Sequence, residues 1–229
     1  MTDSALRELA DDPSSRKRFF KMLGGAGAVS AFSVALAACG DDKKKKDTPA
    51  PVAKSADDSN KSDLEILNYA LTLEFLEADF YAKTIASGLV KDPKVASIAK
   101  KFGSTEQEHV DALIATIKKL GGKPVAAPKS NFQPTFDKGL MATLNAAADV
   151  ENLGAAAYLG QAGNIKNKEV LAAALAIHTV EARHAAALNT LVGRGFGGKG
   201  GLKGSLPDGA FGKPMDMTAV LAAVKPFLA

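Results

Sequence analysis

This sequence predicts an all-α fold, a four-helix bundle with a short helix appended at its C-terminal end, and three observations predict it. From Ser62 onward apolar residues recur at i, i+3, i+4 and i+7, the spacing of one helix face. No alternating β-branched stretch is long enough to form a strand. Four long periodic segments are each opened by a helix-start signal and closed at or beside a glycine.

Residues 1–38 read as an address rather than as part of the fold. A basic stretch, Ser15-Arg16-Lys17-Arg18-Phe19-Phe20-Lys21, precedes a weakly apolar Gly/Ala-rich segment from Met22 to Ala38, the layout of an export signal. The basic stretch resembles the twin-arginine pattern S-R-R-x-F-L-K, with Lys17 in place of the second arginine, so a general secretion signal would also fit. Leu36-Ala37-Ala38-Cys39 resembles a lipobox, whose cysteine would be lipidated and hold the protein on the outer side of a bacterial cytoplasmic membrane. An uncut signal anchor is the alternative. Residues 39–61 are charged, rich in Pro, Ala and Ser and aperiodic, which predicts a disordered tether. Within it, Lys43 to Lys46 could assist the anchor on anionic lipid or serve only to keep the tether solvated.

The bundle is expected over residues 62–193. Its first helix runs from a capping-box pattern at Ser62 and Glu65 to Ser87-Gly88, and its second from Asp92-Pro93 to Gly121-Gly122. The third begins near Asp137 and stops around Gly163-Asn164; the fourth spans about Asn167 to Gly193. Short loops within each pair make two antiparallel hairpins. The middle connection, Gly122 to Phe136, is long enough either to join neighbouring helices or to cross the bundle. Residues 194–229 form a Gly-rich segment and a short helix near Thr218 to Phe227.

Composition narrows the function. The formal net charge is +4, and four of the lysines sit together after Cys39, so the remainder is nearly balanced and a dedicated nucleic-acid binder is excluded. Cys39 is the single cysteine, which rules out an intramolecular disulfide and any multi-cysteine metal site.

The hairpins echo each other. Glu74 is followed seven residues on by Tyr81 in the first helix, and Glu151 by Tyr158 in the third; the second helix holds Glu106-x-x-His109 and the fourth Glu181-x-x-His184. All four glutamates interrupt apolar stripes at mid-length. Glu74 lies fourteen positions before Gly88 and Glu106 fourteen after Asp92, while Glu151 lies twelve before Gly163 and Glu181 fourteen after Asn167, so the four sit at matching heights. Four desolvated carboxylates would repel one another and lose several kcal/mol of hydration each. Two divalent cations would neutralise them, and carboxylate with imidazole is a donor set for iron or manganese; zinc lacks the cysteines that would favour it here.

On four successive helices, Glu74, Glu106-x-x-His109, Glu151 and Glu181-x-x-His184 resemble the ferritin-like di-iron carboxylate superfamily, above all the two-ExxH sites of bacterioferritins and rubrerythrins. "LNYALTLEFLEADFY" and the closing "FGKPMDMTAVLAAVKPFL" resemble the bacterial and fungal ferritin-like family that includes desiccation-related and stress-induced proteins. The resemblance implies a crossover between helices two and three and two iron ions, or manganese, held by those six residues. It also implies bridging positions at Glu106 and Glu181 with Glu74 and Glu151 terminal, and oxidation of ferrous iron or reaction with oxygen or peroxide. Many members of the narrower family have no assigned activity, so a non-catalytic stress protein with a structural or empty site is the alternative. A homo-oligomer is compatible with either; a closed storage cage suits a lipid anchor and tether poorly.

Neighbouring residues carry weaker expectations. Tyr81 and Tyr158 are candidates for hydrogen bonding behind the ligands or for redox activity, with plain core packing as the alternative. Glu77 is expected to flank the layer or lie at the surface, because the Glu-x6-Tyr register selects Glu74. His178 is expected to be an ordinary packed or surface histidine, and Asp111 and Asp149 could orient a histidine. Gly195 to Gly200 matches G-x-G-x-x-G in letters but belongs to no βαβ unit and is expected to be a loop.

Overall fold

The computed structural model describes residues 56–196, 204–207 and 209–229. The segment expected to be an export signal, Cys39, Lys43 to Lys46 and most of the expected tether lie outside the described residues, as does much of the Gly195 to Gly200 motif.

Helix α1 spans Ala56–Ala86. It starts before the expected capping box, so Ser62 lies inside the helix and the tether cannot extend to residue 61. No Gly or Pro between Ala56 and Ser62 interrupts the helix. Asp63, next to Ser62, instead binds the turn that leads into another helix: its Oδ1 accepts from the Lys166 amide at 2.8 Å and its Oδ2 from the Asn167 amide at 2.7 Å. Buried to 1% exposure, it pins the turn between the third and fourth long helices to the start of the first.

Helix α2, Pro93–Lys119, opens as expected, with the Asp92 carboxylate accepting from the Lys94 and Val95 amides and Pro93 at its first position. It ends at Gly121, whose φ of 78° is the left-handed conformation that favours glycine. The long connection contains a single-turn helix, α3 (Gln133–Phe136), which moves the start of the next long helix: α4 is Leu140–Ala162, three residues later than the sequence suggests. Asp137 ends α3 rather than opening α4, and its carboxylate accepts from Gln133 Nε2 at 2.7 Å. Helix α5 is Lys168–Leu191, capped by the Asn167 side chain on the Glu169 and Val170 amides. Helix α6, Met217–Val224, is capped by Asp216 and runs into a 3-10 turn, Lys225–Phe227.

α1 packs along α2 and α4 along α5; across the bundle α1 meets α4 and α2 meets α5. That neighbour set requires the connection between α2 and α4 to cross the bundle. The crossover is anchored by Phe132 and Phe136, both buried against Phe80 of α1 at ring separations of 5.0 and 5.9 Å. The C-terminal tail clamps it: Phe227 packs on Phe132, Asn131 N–H donates to the Phe227 carbonyl, and Ala229 N–H donates to the Lys129 carbonyl. Two apolar clusters flank the middle of the bundle. One joins Leu67 and Leu71 to Val110, Leu113, Ile117, Val170 and Ile177; the other joins Leu73, Leu76 and Phe80 to Ala147, Ala148, Leu188 and α6. Each fully buried aliphatic or Phe side chain contributes about 1.5–3 kcal/mol, which fixes the helices on either side of the polar layer. Among the described residues, no helix is long and apolar enough to cross a membrane.

Candidate metal centre

Six side chains from the four long helices converge between those clusters. Glu74, Glu106, Glu151 and Glu181 are 0–1% exposed, cut off from bulk water, and His109 and His184 are 8% and 6% exposed. The i, i+3 spacing places Glu106 and His109 on one face of α2, and Glu181 and His184 on one face of α5.

Their donor atoms form two groups. Within each, one atom per residue lies within 4.8 Å of the others: Glu74, Glu106, His109 and Glu181 in one, Glu106, Glu151, Glu181 and His184 in the other. Glu106 and Glu181 belong to both. His109 Nδ1 sits 2.8 Å from Glu106 Oε2, 3.1 Å from Glu181 Oε1 and 3.2 Å from Glu74 Oε2. His184 Nδ1 sits 2.8 Å from Glu106 Oε1 and 3.3 Å from Glu151 Oε2.

One imidazole N–H cannot satisfy three carboxylates, and these contacts do not resolve the layer. Glu106 Oε1, Glu151 Oε2, both oxygens of Glu181 and His184 Nδ1 are buried without a hydrogen-bond partner. Each such orphaned atom costs about 1–3 kcal/mol. The spacings suit ligands around a shared ion. Two donors at right angles, about 2.1 Å from a small divalent cation, lie about 3 Å apart.

The tyrosines tie the halves together reciprocally. Tyr81 of α1 donates its hydroxyl to Glu151 Oε1 on α4, and Tyr158 of α4 donates to Glu74 Oε1 on α1. Each leaves the other oxygen of its glutamate facing a histidine. Burial, with the charge of the same carboxylates, pushes both phenols well up from their ordinary range, so they stay protonated donors. Phe102 stacks on His184 with ring centroids 3.8 Å apart.

Electrostatics record the cost of gathering these groups in one buried layer. Burial pushes Glu74 up to about 7 despite the charge and hydrogen bond of His109, and it raises Glu151 and, further, Glu181, where the other carboxylates add to the rise. Burial also acts to raise Glu106, but the hydrogen bond with His109 and the close approach and charge of His184 outweigh it and hold the group down at about 2. For His184, burial opposes the charge, yet its contacts with Glu106 and Glu151 raise it to about 9; His109 is raised further by Glu74, Glu106 and Glu181.

A match to the ferritin-like domain family spans residues 62–194, more than half of the chain. The chain belongs to the ferritin-like domain family. No curated protein matches it. The all-α bundle is thus a ferritin-like one, and its buried Glu and His clusters are compatible with a metal site.

The weaker expectations divide. Glu77 takes the flanking place and not the surface one: it is 3% exposed, and its carboxyl is pushed well up by burial and by the charges of Glu181, Glu74, Glu151 and Glu106. One turn from Glu74, it was legible only as an extra acid beside a chosen register; its partner in space, Gly154, has no side chain to announce it. Asp111 and Asp149 orient no histidine. Asp111 accepts from Gln107 Nε2 at 3.0 Å and Asp149 pairs with Arg194 at 2.8 Å, because both point to the outer face of their helices. His178 is a part-buried histidine whose Nδ1 lies 3.0 Å from the Ala155 carbonyl oxygen.

Proposed function

We propose that this ferritin-like protein holds two metal ions, iron or manganese, and uses them to oxidise ferrous iron or to react with oxygen or peroxide in stress defence. One observation carries the reading. Two four-donor groups share Glu106 and Glu181, and both oxygens of Glu181 and one of Glu106 are left without hydrogen-bond partners. In this reading Glu106 and Glu181 bridge, Glu74 with His109 completes one position and Glu151 with His184 the other. Bound iron would supply the ferrous–ferric chemistry that the carboxylates and imidazoles cannot. The chain's own part is to fix the donors: Tyr81 and Tyr158 orient the terminal carboxylates, Phe102 holds the His184 ring, and the apolar clusters exclude water.

Export and a lipid anchor at Cys39 belong to the same proposal, supported by the basic stretch, the apolar segment and Leu36-Ala37-Ala38-Cys39. They would place the protein in the cell envelope, tied to the membrane, with ferrous iron and oxygen or peroxide as its small-molecule partners. Placement within the desiccation-related family rests on "LNYALTLEFLEADFY" and the C-terminal segment.

Protein purified after expression with iron should carry about two metal ions per chain and oxidise added ferrous iron under oxygen. Less than about one ion per chain, or unchanged metal content after Glu106→Ala with Glu181→Ala, would refute the site. Complete burial of the four glutamates favours a second reading, in which the ions only staple the helices. Metal bound with no ferrous oxidation would select it.

A further inference from the structure

A cleft of about 370 Å³ lies between the hairpin of α4 and α5 and the tail segment that follows it. None of the six donors of the metal layer lines it. Ala155 of α4 and Ala182, Ala185 and Ala186 of α5 form its bed, and Leu206 and Phe211 of the tail stand at its mouth. Alanines side by side leave space that larger side chains would fill. Phe211 is 90% exposed and Leu206 49%, so the tail presents apolar surface there that no other described residue covers. An apolar cavity of about 150 Å³ admits a benzene-sized molecule, so this cleft has room for roughly two fused rings.

The uncharged polar side chains of the lining are engaged, with one exception. Asn152 exchanges hydrogen bonds with Asn189 and donates to the Ala148 carbonyl, and Ser205 Oγ donates to the Arg194 carbonyl at 3.0 Å. Lys213, the charged residue of the lining, is exposed. His178 is the exception. Its Nδ1 lies 3.0 Å from the Ala155 carbonyl oxygen, which can only accept, so Nδ1 carries the proton. The neutral ring then presents Nε2 as an acceptor with no hydrogen-bond partner among the described residues.

We propose that this cleft binds a small bicyclic phenol, its hydroxyl donating to His178 Nε2 and its rings lying between the alanine bed and Phe211. The site is separate from the metal pair and does not depend on it. One acceptor in an apolar cleft selects a ligand with one donor on an otherwise apolar body, because a hydroxyl desolvated without a partner costs about 1–3 kcal/mol. The flat bed and the exposed Phe211 ring favour an aromatic body over a branched aliphatic one, since a planar ligand gains a stacking partner there.

Fluorescence titration of the purified full chain with β-naphthol and with its methyl ether, which has the same rings and no donor, tests this. β-Naphthol should saturate at one molecule per chain, and the ether should bind at least about tenfold more weakly. His178→Phe keeps a ring and removes the acceptor, so it should weaken β-naphthol by about tenfold and abolish the difference between the two probes. Ala182→Leu fills the bed from an exposed position of α5, so it should weaken both probes by at least about tenfold with helicity by circular dichroism unchanged. No saturable binding of β-naphthol, equal binding of the two probes by the unmutated chain, or an unchanged β-naphthol affinity in either variant would overturn the proposal. Any of these results would leave the metal-pair reading intact.

Discussion

Without metal, the protein should become more stable as pH falls from about 9 to about 5, because the polar layer takes up protons that the unfolded chain does not hold. Glu74 moves from 4.5 in the unfolded chain to about 7 in the fold, so its ionised form is penalised above pH 7 and the penalty disappears below 4.5. His184 moves from 6.5 to about 9, so its stabilising contribution is complete below 6.5 and lost as pH rises through 9. Both signs agree. Glu106, held at about 2, works the other way, losing its contribution only as pH falls below 4.5 toward 2. At about 1.4 kcal/mol per pKa unit, a shift of the size seen at Glu74 is worth about 3 kcal/mol, taken as the scale for the whole layer. For a domain of this size that is about 6–12 °C in Tm. Circular-dichroism melts of chelator-treated protein at pH 5.5, 7 and 8.5 measure it. Manganese should reverse the trend: metal competes with protons for the same atoms, so the Tm gain at saturation is largest at pH 8.5. An apo Tm that is flat, or that falls on acidification through this range, would refute the claim that the carboxylates share a desolvated layer.

Other perturbations test the scaffold. Tyr158→Phe and Tyr81→Phe each remove a buried hydroxyl donor from one buried glutamate and should cost about 1–3 kcal/mol of apo stability at pH 7.5, with a smaller loss for Tyr158→Phe at pH 5.5, where Glu74 is protonated. Urea titrations at the two pH values read both numbers, and a Tyr158→Phe loss independent of pH would mean packing, not hydrogen bonding, is at stake. Asp63→Ala deprives the Lys166 and Asn167 amides of their acceptors and should cost about 2–4 kcal/mol, with hydrogen exchange accelerated first at the start of α5. Uniform exchange along α5 would contradict a local anchor. Gly160→Ala would put a Cβ 1.9 Å from the Met215 carbonyl oxygen, so the tail segment must lift off α4; about 1–3 kcal/mol of destabilisation should outweigh alanine's better helix propensity. A more stable variant in urea would show that the tail yields freely.

The sequence revealed the layer because its residues are costly to bury and repeat. A glutamate in the middle of an apolar stripe needs a reason, and four at matching heights need a common one; that logic located Glu74, Glu106, Glu151 and Glu181 and the two histidines without any structure. Helix ends were legible where a cap is a local event, as at Asp92 and Asn167. They were misread where the acceptor acts at a distance. Ser62 and Glu65 offer a local box, but nothing before them stops a helix, and the useful acceptor there, Asp63, serves residues more than a hundred positions away. The start of α4 moved for a related reason: Asp137 closes the single turn of α3, whose Phe136 the core demands.

Glu77 shows where a repeat stops informing. The Glu-x6-Tyr register picked out Glu74 by its counterpart Glu151, and the same register hid Glu77, whose counterpart is a glycine. What symmetry conceals, volume exposes: an absent side chain on α4 is the space into which a carboxylate from α1 and another from α5 both point. Had α4 carried a carboxylate where Gly154 stands, the repeat would have announced both positions at once; a counterpart without a side chain is what a sequence repeat cannot show, and only the packing of α1 and α5 against α4 reveals it.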